Sequence, residues 1–138
     1  MKFDGDYAEN VFSSMLSYDE KSLCPICCTF RSTGFFAKPT RFAVGFATLT
    51  SCGRLLVAEQ ILNDCVKATF VLSTNKSCKI KKNLFGQYVF KMTFPTQNKD
   101  IKLKFQAAPK VYGCDFPNQQ HNLEYFLSII NNESPKII

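Results

Sequence analysis

Gln87-Tyr-Val-Phe-Lys-Met-Thr-Phe-Pro-Thr-Gln-Asn-Lys-Asp-Ile-Lys-Leu-Lys-Phe-Gln106 is the stretch on which the fold turns. Tyr88, Phe90, Met92 and Phe94 alternate with Val89, Lys91 and Thr93, the two-residue period of a strand with one buried face. Ile101, Leu103 and Phe105 then alternate with Lys102 and Lys104. Between the runs, residues 95–100 are rich in turn formers. The pattern predicts a β-hairpin with an aromatic and aliphatic face inward and lysines outward.

Working outward, the same periodicity recurs. Residues 41–49 predict a strand with Phe42, Val44, Phe46 and Thr48 on one face and Ala43, Gly45, Ala47 and Leu49 on the other. A tight turn at 50–53 follows, Gly53 supplying the positive φ, and residues 55–58 return as the partner strand. Residues 66–72 and 78–82 predict two more strands, and 29–34 a strand and turn. Two amphipathic stripes flank this β region. Tyr7, Ala8, Val11, Phe12, Met15 and Leu16 predict a helix over 6–17, with Asp6 as N-cap and Glu9 completing a capping box. Leu123, Phe126, Leu127 and Ile130 predict a helix over about 118–131.

The chain has 138 residues, 46% of them apolar and 14 of them Phe, which fits one globular domain spanning 1–138. No apolar run approaches the ~20 residues of a membrane span. The N-terminus lacks the basic and apolar regions of a signal peptide, so the expected location is intracellular, cytoplasmic or nuclear. The seven cysteines, odd in number and irregularly spaced, read as reduced thiols. Cys24 and Cys27 are a weak zinc or redox candidate. They have the spacing of half a zinc site, but no second close pair exists and His121 is the only histidine. No metal and no cofactor are expected.

Charge is concentrated. The formal net charge is +6, yet residues 1–20 hold five acids against Lys2, while 67–104 hold nine lysines against Asp100. Such a surface suits an anionic partner, or it is a solvated strand face whose lysines blunt the sheet edges.

About seven strands followed by one helix is an order that resembles the pleckstrin-homology (PH) superfold over residues 30–131. Residues 41–58 resemble its second and third strands, 88–107 its penultimate hairpin, and 121–130 its C-terminal helix. Glu124, Tyr125, Phe126 and Ser128-Ile129 stand at the places of the family pattern there, with Tyr125 where Trp is usual. The resemblance implies a small antiparallel β-barrel or sandwich capped by the C-terminal helix, to which the N-terminal helix is an addition. Phosphoinositide-binding members of the family place a lysine in the first strand and a basic-x-Arg pair in the second. Lys38 and Arg41 match, and Ala43 stands at the second basic position.

No catalytic constellation is legible: there is no GxSxG, no phosphate-binding Gly loop and no HExxH. The expectation is a non-enzymatic binding module. Its favoured form is a protein-interaction or adaptor domain, with Tyr7, Val11, Phe12 and Met15 as a helix offered to a protein partner. The alternative is an anionic partner, either phosphoinositide or acidic membrane, or nucleic acid. It would be met by Lys38, Arg41, Lys79, Lys81, Lys82, Lys102 and Lys104.

Overall fold

A computed structural model of the chain describes residues 4–31, 42–61, 64–111 and 116–133. The elements run α1 (Gly5–Ser13), β1 (Ile26–Arg31), β2 (Phe42–Leu49), β3 (Arg54–Ile61), β4 (Asp64–Val71), β5 (Ser77–Lys82), β6 (Tyr88–Pro95), β7 (Asp100–Ala107) and α2 (Gln119–Glu133). The seven strands form one antiparallel sheet in the order β4-β3-β2-β1-β7-β6-β5. The expected hairpin is β6–β7, in register from Tyr88 opposite Ala107 to Pro95 opposite Asp100. The sheet is not closed: β4 and β5 are its two edges.

The sheet is strongly curved. Phe70 of β4 and Phe94 of β6 stack with ring centroids 4.6 Å apart. Five strand intervals separate them in the sheet order, so in a flat sheet they would lie ~24 Å apart. The inner face of this curve holds the main core, in which Phe90, Phe94, Leu103, Phe105, Phe126 and Ile130 are buried together as the periodicity predicts. Phe126 of α2 meets Phe90 and Phe105 edge-on at 5.4 and 6.1 Å. Gly45 lies where Phe30 crosses β2, and a Cβ there would run into the Phe30 ring and the Ala58 carbonyl.

The start of α2 is pinned to β1 by side-chain amides. Among the described residues β1 pairs with β7 at Thr29 and Phe30, and the ladder stops short of Cys27. Gln119, itself buried, fills the gap. Its Oε1 accepts from Cys27 N–H at 2.9 Å, and its Nε2 donates to the carbonyls of Cys27 and Ala108, each at 3.0 Å. Asn122 donates to Pro25 C=O at 2.9 Å.

The outer face carries a second, smaller core. Ala8, Val11 and Phe12 of α1 pack on Cys27, Phe46, Leu56, Ala58 and Phe116. The helix begins and ends earlier than its stripe suggests. Asp4, not Asp6, is the N-cap, accepting from Tyr7 N–H at 3.0 Å, and Asp6 sits in the first turn. The expected capping box therefore does not form. At the other end Ser14 turns its hydroxyl onto Val11 C=O at 2.6 Å, a local bond that competes with continued helix.

Phe126→Ala is expected to cost ~3–5 kcal/mol, because it empties the site between Phe90 and Phe105. Chemical unfolding of the variant checks this, and an unchanged midpoint would mean that α2 does not close the core.

Candidate functional site

Helix α1 covers the outer face over β2 and β3, and no described element packs over it at β5, β6 and β7. Strand register makes the chemistry of this uncovered part explicit. Lys79 lies opposite Lys91, and Lys91 opposite Lys104. On one side the next row is Ser77, Thr93 and Lys102; on the other it is Lys81, Val89 and Gln106. Phe90, Met92, Phe94, Leu103 and Phe105 point the opposite way, into the main core. Five lysines, at 79, 81, 91, 102 and 104, thus share one face of three adjacent strands. Lys79, Lys81, Lys91 and Lys102 are exposed and Lys104 is half-buried.

A row of three lysines in direct register is electrostatically unfavourable by itself. Neighbouring Cα atoms in such a row are ~4.5–5.5 Å apart, and like charges directly opposite destabilise a sheet. An anion laid across the row would relieve that repulsion. The acid nearest in sequence, Asp100, is engaged at the far end of the hairpin by Lys76 at 3.1 Å.

Of the residues singled out from sequence, Lys79, Lys81, Lys102 and Lys104 are brought together. Lys82 is not. Adjacent strand residues face opposite ways, so Lys82 follows Cys78 and Ile80 and sits opposite Tyr88, its Nζ 5.6 Å from the ring centroid. Lys91, at the centre of the row, was not singled out. Lys38 and Arg41 lie outside the described residues.

The other candidates are placed as follows. Val11 and Phe12 are buried in the chain's own second core, with Tyr7 and Met15 packed at its margin, so the apolar face of α1 is occupied within the domain. Cys24 belongs to the inner core and Cys27 to the outer one, on opposite sides of the sheet. Burial pushes the Cys24 thiol up to about 11 and that of Cys28 well above its ordinary value. The thiolate that would bind metal or attack substrate is thereby disfavoured. His121 is exposed in the first turn of α2.

A cleft of about 590 Å³ lies between α1, the lead into β1 and the start of α2. Its lining includes Asp6, Glu9, Glu20, Lys21, Asn118 and Asn122, with no histidine or cysteine among the described residues. Its buried carboxylate is already committed. Glu20 receives hydrogen bonds from Arg54, from the Thr50 hydroxyl at 2.5 Å and from Ser17 N–H at 2.9 Å. The Arg54 guanidinium also donates to Met15 C=O at 2.9 Å, tying the chain after α1 to β3. These bonds, led by the one from Arg54, hold the Glu20 carboxyl down at about 2. Glu59 is the opposite case: buried, with Oε2 lacking a partner among the described residues, its carboxyl is pushed up by burial.

Comparison with family models, with curated proteins and with solved structures finds no match for this chain.

Because folding lowers the pKa of Glu20, its contribution to stability is fully present above its ordinary value of 4.5 and is lost as pH falls from there through about 2. Thermal unfolding of the wild type is therefore expected to weaken more steeply than that of Glu20→Gln between these values. Parallel curves would mean that the Arg54 pair does not form.

Proposed function

We propose that the chain is a non-enzymatic, PH-like binding module whose uncovered sheet face receives an anionic partner. The observation that carries this reading is the register of Lys79, Lys91 and Lys104, backed by Lys81 and Lys102 on the same face. A merely solvated face would gain by interspersing acids among the lysines, as cross-strand pairs of opposite charge favour the sheet. Here the residues facing outward on the three strands include one acid, Asp100 at the first position of β7, and it is already engaged by Lys76. The PH-like, barrel-like part of the reading is supported by seven meandering strands, by the pairing of β1 with β7, by the curvature that brings Phe70 onto Phe94, and by the closing helix. The non-enzymatic part is supported by the raised cysteines and by a cleft whose buried carboxylate is already paired.

A second reading, a protein-interaction or adaptor domain, is favoured by β4. This edge strand leaves Val66 and Val71 exposed, and a peptide strand can add to such an edge. The two readings differ in salt dependence.

Retention on immobilised heparin, a polyanion, separates them. The wild type is expected to be retained and to elute earlier as salt rises, since each neutralised charge releases counterions. Lys79→Glu with Lys91→Glu is expected to abolish retention, while Lys91→Thr weakens it and leaves the free energy of unfolding equal or raised by ~0.2–1 kcal/mol of relieved repulsion. Equal retention of wild type and the double variant would reject the basic face as the site.

A further inference from the structure

The β5–β6 connection is a rigid tip. Asn83 Oδ1 accepts from Phe85 N–H at 2.9 Å and Gln87 N–H at 3.0 Å, and its Nδ2 donates to Gln87 Oε1 at 3.1 Å. Backbone bonds from Gly86 N–H to Asn83 C=O and from Asn83 N–H to Gln87 C=O close the turn, with Gly86 at φ +77°. The two positions at the apex are Leu84, 100% exposed, and Phe85, 88% exposed. Apex positions ordinarily take small or polar residues, and neither side chain belongs to either core. A fold that buries nearly every other Leu and Phe it describes holds these two in water on a fixed support.

The surroundings of the tip are basic. Lys81 and Lys82 precede the turn, and Lys79 and Lys91 lie further along the outer face. From Lys76 to Pro95 the chain has five lysines and no acid. We propose that this tip docks the domain on an acidic lipid surface, with Leu84 and Phe85 between the headgroups and Lys79, Lys81, Lys82 and Lys91 against their charges. The inference rests on the anionic reading above and names its partner.

Dimensions and chemistry favour a bilayer over other polyanions. Two residues of strand cover ~7 Å, so Lys82 and Lys81 stand ~7–10 Å from the apex and Lys79 and Lys91 ~17–20 Å from it. Interfacial insertion reaches ~5–10 Å, which brings Lys81 and Lys82 to headgroup level when the tip is in and holds Lys79 and Lys91 just above it, within about a Debye length of the surface charge. Anionic lipid on the cytoplasmic leaflet attracts basic segments at that range. A leucine has no π-face on which a base could stack, and a projecting apex offers no groove for a peptide.

The chain has no Trp, so Phe85→Trp makes a single emission probe at the apex of the full chain. Its emission is expected to shift to the blue with vesicles of phosphatidylcholine and phosphatidylserine, and not with phosphatidylcholine alone. Leu84→Ser with Phe85→Ser is expected to lower sedimentation with the acidic vesicles tenfold or more, leaving heparin retention and the unfolding midpoint unchanged. Vesicle binding without the Trp shift, and undiminished in the double Ser variant, would overturn the tip while the basic face stands. A gel shift with nucleic acid and no vesicle binding would do the same. Loss of both heparin and vesicle binding in the wild type would bring down both readings.

Discussion

The two-residue pairing of β1 with β7, at Thr29 and Phe30, is the joint on which the rest of the structure depends. Among the described residues it is the only ladder joining β1–β4 to β5–β7. A ladder so short cannot fix the angle between the two parts by itself. Gln119 extends it in another chemistry, giving Cys27 the bonds a longer β7 would have given and carrying a third to Ala108. Replacing Gln119 would leave the buried Cys27 N–H without its partner, the costly side of a broken hydrogen bond. The same residue begins α2, so this contact also sets where Leu123, Phe126 and Ile130 enter the core.

On either side of that joint the outer face has two territories. Over β2 and β3 it is apolar and α1 covers it. Over β5, β6 and β7 it is basic and no described element lies on it. The inner face cannot offer a surface, because it is filled by Phe30, Phe90, Phe94, Phe105 and Phe126. The proposed binding role falls to the outer basic territory, on which no described element lies, and the projecting tip continues that territory at one end.

How much of this was legible depends on whether the signal is local. The β6–β7 hairpin was plain because one face is buried and the other wet, so its alternation is clean. β2 was legible as a strand, but α1 covers its outer side, and Phe46 is as buried as Ala47. Alternation alone did not reveal which side held the main core. The N-cap was displaced because Asp4 and Asp6 are both good cap residues, and the backbone chose the outer one. The lysine face was half legible. The parity that excludes Lys82 was present in the adjacent pair Lys81-Lys82. The central place of Lys91 was not, since it follows from pairing with both Lys79 and Lys104. Residues 84–86 read as a turn into the hairpin, but the full exposure of Leu84 and Phe85 was hidden, because nothing local says whether a turn's apolar pair folds back onto a core; the bonds to Asn83 decide that.

The central claim is that one face, on β5, β6 and β7, meets an anionic partner. The most direct measurement is amide chemical-shift mapping of the labelled chain titrated with a short heparin fragment at low salt. The account expects the shifts to concentrate at Lys79, Lys81, Lys91, Lys102 and Lys104 and to collapse on adding salt. Shifts centred on α1 or on the cleft lined by Asp6, Glu9 and Asn122, or spread evenly over the chain, would contradict it.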